Sequence, residues 1–260
     1  MSVPYSNKKL TWLAATLVVL ATFIVYLPAL QNGFVNWDDH LYASENQNIR
    51  SLDLRFLRWD ITAVVASLWH PLTMFSLALD YAIWGLNPFG YHLTNVLFHS
   101  FNTFLAFILV VRLIECKTIT STTPPSPLFN KEGGWESYPL ITASVTALLF
   151  GIHPLRVESV VWVSERKDVL RAFFFLLSIL AYLRYVRTPK KRLFYVTSLI
   201  SFSLALISKP MAVTLPVVLL ILDFYPFNRL AKGLRGLMIE KLPFFALSIL
   251  SAMVTVWAHH

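Results

Sequence analysis

Residues Leu10 to Leu30 form an apolar run of 21 residues without a charge. As a helix this run is about 31 Å long, one hydrocarbon core of a bilayer. A chain that contains it has few folds open to it, because backbone in lipid must satisfy its own hydrogen bonds. Two acids, Asp38 and Asp39, follow the run almost at once in the stretch Asn36-Trp37-Asp38-Asp39. Acids beside a bilayer do not serve packing. Here they stand where a general base or cation ligand meets a lipid-carried substrate.

Six further apolar runs continue the pattern: Tyr91–Leu113, Pro139–Ile152, Val169–Val186, Phe194–Ser208, Met211–Phe224 and Leu242–Ala258. The expected fold is an all-α, polytopic transmembrane helix bundle of about seven spans, a single membrane domain over residues 1–260. Three of the runs fall short of the usual ~20 residues and need ends buried against protein. Leu72–Trp84 is shorter still and carries Asp80, so it reads as an interfacial or re-entrant helix. Only 14% of the residues are charged and mean hydropathy is +0.60, against about 25% charged in a soluble domain.

Lys8 and Lys9 could open a signal peptide, but the first run is too long for one and Pro28-Ala29-Leu30-Gln31 is no A-x-A cleavage site; it reads as an uncleaved span. With the N-terminus in the cytoplasm, 13 of the 22 basic residues fall on the inside and 7 outside, in the sense of the positive-inside rule. Asp38 and Asp39 then face the periplasm or a lumen. The formal charge of +8 lies in short clusters between runs, so anionic lipid headgroups account for it and nucleic acid does not. The single Cys116 excludes an internal disulfide and a multi-cysteine metal site. Residues 118–135, rich in Thr, Ser, Pro and Gly, read as a flexible cytoplasmic loop without chemistry. The chain stops directly after the seventh run and so reads as the N-terminal part of something longer, its C-terminal spans and any repeat domain absent.

Four polar groups stand at or near membrane depth, where ionisable side chains are costly. Asp38-Asp39, with His40 and Glu45, is the first; adjacent residues point apart, so at most one faces a given site, and helix N-capping is the alternative. His92, Asn95, His99 and Asn102 share one helical face at spacings of three and four, which interhelical hydrogen bonds would explain; His92, at the mouth, is placed to meet a headgroup. The third group runs from His153 to Asp168. Glu158, Trp162 and Glu165 fall on one face of a short helix, while Arg156, Arg166 and Lys167 are cations able to hold a phosphate; a solvated loop with local ion pairs is the competing reading. Ser208-Lys209-Pro210 puts a lone Lys in a short outer turn, where it binds a lipid phosphate or merely snorkels. No Walker A loop, G-x-G-x-x-G, G-x-S-x-G or H-E-x-x-H motif occurs.

These residues resemble the membrane-embedded GT-C glycosyltransferases, and within them the transmembrane-and-tetratricopeptide-repeat protein O-mannosyltransferases and their bacterial relatives. The resemblance rests on Phe34-Val35-Asn36-Trp37-Asp38-Asp39, Trp69-His70-Pro71-Leu72-Thr73, Trp84-Gly85-Leu86-Asn87-Pro88-Phe89-Gly90-Tyr91-His92 with Asn95 and His99, Phe150-Gly151-Ile152-His153-Pro154 with Val157-Glu158, Ser208-Lys209-Pro210 and Leu222-Asp223. It implies a GT-C bundle with interfacial helices in a long first outer loop. It implies a polyprenyl-phosphate sugar donor, mannose in eukaryotic members, a protein or glycan acceptor, and inverting displacement. Carried over, Asp38 is the base or a metal ligand, Asp39 its neighbour and Glu158 a second acid. Arg156, Arg166 and Lys209 contact the donor phosphate, with His92 nearby. A divalent cation, Mg or Mn, is implied as cofactor, and a bacterial inner membrane as location. Two other classes compete: a polyisoprenoid-lipid transporter or flippase, and a non-catalytic membrane anchor for a repeat domain. The transferase reading expects Asp38, Glu158 and Lys209 on one outward cavity.

Overall fold

The computed structural model describes residues 8–120, 134–188, 191–229 and 233–258. These are helical almost throughout, with one isolated bridge, Val65 to Leu68, and no strand among them. The protein is an integral, multi-pass membrane protein built as an all-α bundle.

Helix α1 (Lys8–Val25) runs on through a 3-10 turn, Leu27–Gln31. It buries Ala15, Val18 and Thr22, one helical stripe, and leaves Trp12, Leu13, Leu17, Leu20 and Ile24 exposed on the wide remaining face. In water that surface would be unstable; in lipid it is the ordinary exterior. A first loop carries α2 (Leu54–Thr62) and α3 (Pro71–Trp84). The Asp53 side chain caps α2 by accepting from the Phe56 N–H at 2.9 Å. Pro71 opens α3, and Gly85, at φ 60°, ends it. Helix α4 (Pro88–Thr120) returns through the bundle, α5 (Gly134–Ile152) comes back, and a short α6 (Val157–Val161) follows. Then α7 (Arg166–Arg187) and α8 (Lys191–Ser208) form the closest helix pair, a 3-10 turn Pro210–Thr214 leads into α9 (Leu215–Phe224), and α10 (Leu234–Ala258) ends the described chain.

Five segments are long and apolar enough to span: Lys8–Gln31, Pro88–Cys116, Val163–Arg187, Lys191–Ser208 and Arg235–Ala258. The expected third span is one arm of a bent pair, Tyr138–Ile152 and Pro154–Val161, turning by 51° at His153. The expected sixth lies in a shorter apolar stretch, Pro210–Phe224. Of the expected 118–135 loop, 118–120 and 134–135 continue α4 and α5, and 121–133 lie outside the described residues.

Small and polar side chains set the helix contacts, as they must where lipid removes the hydrophobic drive to associate. Ser178 Oγ donates to the Ser198 carbonyl at 2.8 Å and Ser198 Oγ to that of Ser178 at 2.9 Å, drawing α7 onto α8. Gly151 lets α5 approach α1 and α4: a Cβ there would stand 2.6 Å from Thr22 Oγ1 and 2.8 Å from Thr103 Oγ1. Apolar clusters fill the rest. One gathers Tyr182, Phe202, Leu219 and Phe244 from α7–α10; another, Tyr42, Phe56, Met74 and Tyr91, fastens the first loop.

Away from that loop, α7, α9 and α10 enclose an ionic network. Lys241 reaches Asp223 at 2.8 Å and Glu240 at 2.6 Å, while Arg229 reaches Asp223 and Glu240, each at 2.8 Å. Tyr182 donates to Asp223 at 2.6 Å, and Lys241 and Asp223 are fully buried. Acid and base balance, so no net charge is left in the interior.

Candidate functional site at the loop face

The first loop, the α5–α7 connection and the turn at Lys209 meet at one end of the bundle, called here the loop face. A buried carboxylate joins the first two. Asp39 Oδ2 accepts from the Val35 N–H at 2.9 Å and Asp39 Oδ1 from the Ser164 N–H at 2.9 Å. Asp39 is fully buried and does not cap its own turn, His40–Ser44. It is a clamp between two segments 125 residues apart in sequence. Neighbouring side chains diverge, so Asp38 points elsewhere: it is half-buried, and its carboxylate has no hydrogen bond or ion pair among the described residues. It stands near Tyr42, whose hydroxyl is raised well above its ordinary range, first by burial and then by the charges of Asp38 and Glu165.

Tyr42 borders a charged cluster. The Lys167 ammonium lies 4.6 Å from the centre of its ring and 2.9 Å from Glu165. Lys209 bonds Glu165 at 3.1 Å and Asp168 at 2.8 Å, and Arg171 bonds Asp168 at 3.3 Å. The imidazole of His70 stacks on Tyr42 at 5.2 Å and is buried. Burial, then Lys167 and Lys209, lower its pKa to about 3, which keeps it neutral. The Thr73 hydroxyl donates to the Ser208 carbonyl at 2.9 Å and ties α3 to the Lys209 turn.

The other expected residues are dispersed around this cluster. Arg166 is in the interior: its guanidinium meets Asp80 at 2.6 Å, Ser76 at 2.8 Å, the Tyr91 carbonyl at 2.8 Å and the side chain of Asn95. Arg156 is half-buried over the Phe150 ring at 4.8 Å, with no ion pair among the described residues. Glu158 is exposed, and the helix breaks at Trp162, so Glu158 and Glu165 do not share a face. Glu158 instead lines a groove of about 570 Å³ with Trp37, His92 and Trp162. Hence Trp37 lies in the groove with Glu158, while Asp38, next in sequence, stands near Tyr42, as does Glu165.

The polar stripe on α4 proves largely a seam. Asn95 donates to the Trp162 carbonyl at 3.0 Å, His99 Nε2 meets the Gly151 carbonyl at 2.7 Å, and Asn102 donates to the Val169 carbonyl at 2.8 Å. His92 departs from it: neither ring nitrogen completes a hydrogen bond, the backbone of Gly33 and Val161 being close but out of geometry.

The residues that sequence reasoning missed are the partners. Asp80 was visible as a charge in an apolar run, but its partner Arg166 is 86 residues away. Nothing in the spacing couples Lys209 to Glu165 and Asp168, or Tyr42 to Lys167. His70 was seen only within a motif.

Known proteins place the chain. It is 29% identical over 222 residues to protein O-mannosyl-transferase Tmtc1 of Drosophila melanogaster, covering 82% of this chain and 23% of that protein. It is 30% identical over 244 residues to TMTC1 of Mus musculus (86% and 23%) and 27% identical over 251 residues to TMTC1 of Homo sapiens (88% and 26%). This chain resembles the Tmtc protein O-mannosyl-transferases. It spans about a quarter of the length of these relatives. No protein-family model matches the chain, and no solved structure matches it significantly.

Proposed function

We propose that this protein is the membrane part of a glycosyltransferase that moves a hexose, mannose by the names of its relatives, from a polyprenyl-phosphate donor to a hydroxyl of a protein acceptor. The observation that supports this best is the similarity to O-mannosyl-transferases across more than four fifths of the chain. The loop face offers chemistry that suits it: Asp38, a carboxylate without an ion pair among the described residues, and the cations Lys209 and Arg156 at the same end of the bundle.

In this reading Asp38 accepts the proton of the acceptor hydroxyl as its oxygen attacks the anomeric carbon from the face opposite the phosphate. General-base assistance of this kind is worth typically 10²–10⁴-fold. The glycosyl–phosphate bond breaks, its electron pair leaves on phosphate, and the configuration inverts. Lys209 and Arg156 stabilise the departing charge. Asp39 positions Asp38 by fixing the backbone on its N-terminal side, and Arg166 holds α3, α4 and α7 together rather than touching the donor. Glu158 and His92 line the neighbouring groove. Among the described residues no three His, Cys, Asp or Glu side chains come together as metal ligands. A divalent cation would therefore be held by Asp38 and the donor phosphate, the usual manner for magnesium, and would neutralise charge there. No step above depends on it. The bias of basic residues supports a cytoplasmic N-terminus and a periplasmic or lumenal loop face.

The test is transfer from radiolabelled polyprenyl-phosphate mannose in membranes carrying the gene product, wild type against Asp38→Asn. Transfer that falls by about 10²-fold or more at equal expression is expected. Equal transfer in both would remove Asp38 from the mechanism.

A further inference from the structure

We infer that the groove between the first loop and α6 seats the hexose ring itself. The inference rests on the transferase reading and gives it a sugar subsite beside Asp38. The groove, at about 570 Å³, falls within the ~300–1,000 Å³ typical of small-molecule sites. Its lining matches a sugar in both respects that matter. A hexose presents flat patches of C–H and a rim of hydroxyls. The flat patches call for an aromatic platform, and two tryptophans line the groove, Trp37 being 69% exposed.

The rim calls for acceptors and donors. Glu158 is an exposed carboxylate without an ion pair among the described residues, and so accepts from hydroxyls. Behind it lie His92, 1% exposed and within reach of the Gly33 and Val161 backbone, and the buried indole N–H of Trp162. Lipid is a poor occupant, because an exposed carboxylate would be wasted on it. A Trp serving only as an interfacial anchor would need none of these neighbours. The order along the chain also fits: Trp37 on the sugar and Asp38 on the reacting side are consecutive residues pointing to adjacent compartments.

The experiment is ligand-observed saturation-transfer NMR on the whole protein in nanodiscs, with the methyl α-glycosides of mannose, glucose and galactose as probes. Saturable binding of at least one, in the millimolar range or tighter, is expected. Trp37→Ala and Glu158→Gln should each weaken it about tenfold or more, while Trp257→Phe, a change on the exposed face of α10, leaves it intact. Should Trp37→Ala lower the melting temperature, Glu158→Gln carries the comparison. No saturable binding of any of the three, or unchanged affinity in a folded variant, overturns the hexose seat. Binding that persists while no transfer from a lipid-linked donor is found overturns the transferase reading instead.

Discussion

Replacing Arg166 by Met separates a structural arginine from a phosphate-binding one. The side chain is fully buried and its N–H groups serve Asp80, Ser76, Asn95 and the Tyr91 carbonyl. Met fills similar volume but leaves the Asp80 carboxylate buried with only the Thr94 hydroxyl, at 2.8 Å, beside it. Breaking a buried pair from one side costs about 3–5 kcal/mol. Adding Asp80→Leu removes the stranded charge and should restore about 2 kcal/mol or more, short of full recovery because Asn95 and Ser76 still lack a partner. Thermal unfolding in detergent, followed by circular dichroism for wild type, both single variants and the double, measures this coupling. The single change should lower the melting temperature by about 10 °C. In the transfer assay, the donor KM of the folded Arg166→Met fraction should stay near wild type. A loss below about 1 kcal/mol, no recovery in the double variant, or a KM that rises tenfold with the fold intact would refute the argument.

Three further outcomes follow from the same reasoning. His70 stays neutral in the fold down to pH about 3, while the unfolded chain takes up its proton near 6.5. Its stabilising contribution is therefore whole above about pH 6.5 and declines by about 1.4 kcal/mol per pH unit as pH falls through the window to about 3; in melts at a series of pH values His70→Phe should flatten that part of the profile. Asp39→Ala strands the buried amide of Ser164 and the part-buried amide of Val35 and should cost about 2 kcal/mol, Asp39→Asn less, with transfer falling alongside; melts of both variants at equal expression check the ranking. Lys241→Met leaves Asp223 and Glu240 to share Arg229 and should cost about 3–5 kcal/mol, read as a lower melting temperature with an unchanged donor KM.

The spans were legible because lipid imposes a length on them. Leu10–Leu30 reappears as α1 and its 3-10 turn because no other structure satisfies that backbone in a bilayer. The third run misled for a local reason: Pro154 cannot donate to a helix ladder, so the axis turns there and the polypeptide continues as a second arm. The helical spacing of the α4 stripe was readable; His92, expected at the mouth to meet a headgroup, is instead 1% exposed. What no local pattern carries is which distant group answers a charge. Asp38 and Asp39 are chemically identical in the sequence and differ only because the Ser164 amide stands opposite one of them. Lys209 stands out in the sequence as a lone charge in a short turn, yet its carboxylate partners come from another segment and are fixed only by the packing of α7 against α8.

The network of Asp223, Arg229, Glu240 and Lys241 constrains how the molecule is made. Helix α9 has 10 residues, about 15 Å, half the depth of a bilayer, so it does not stand as a span by itself. Helix α10 carries Glu240 and Lys241 near its start, and each charge left in lipid costs roughly 3 kcal/mol at the membrane centre. Both charges are answered by each other, by Asp223 and Arg229, synthesised just before them, and by Tyr182 and Tyr185 of a helix already in place. The last two described helices are therefore expected to leave the translocation machinery as one unit, docked on α7, and a ribosome that stalls between Phe224 and Glu240 leaves a nascent chain whose Asp223 has no lysine to meet.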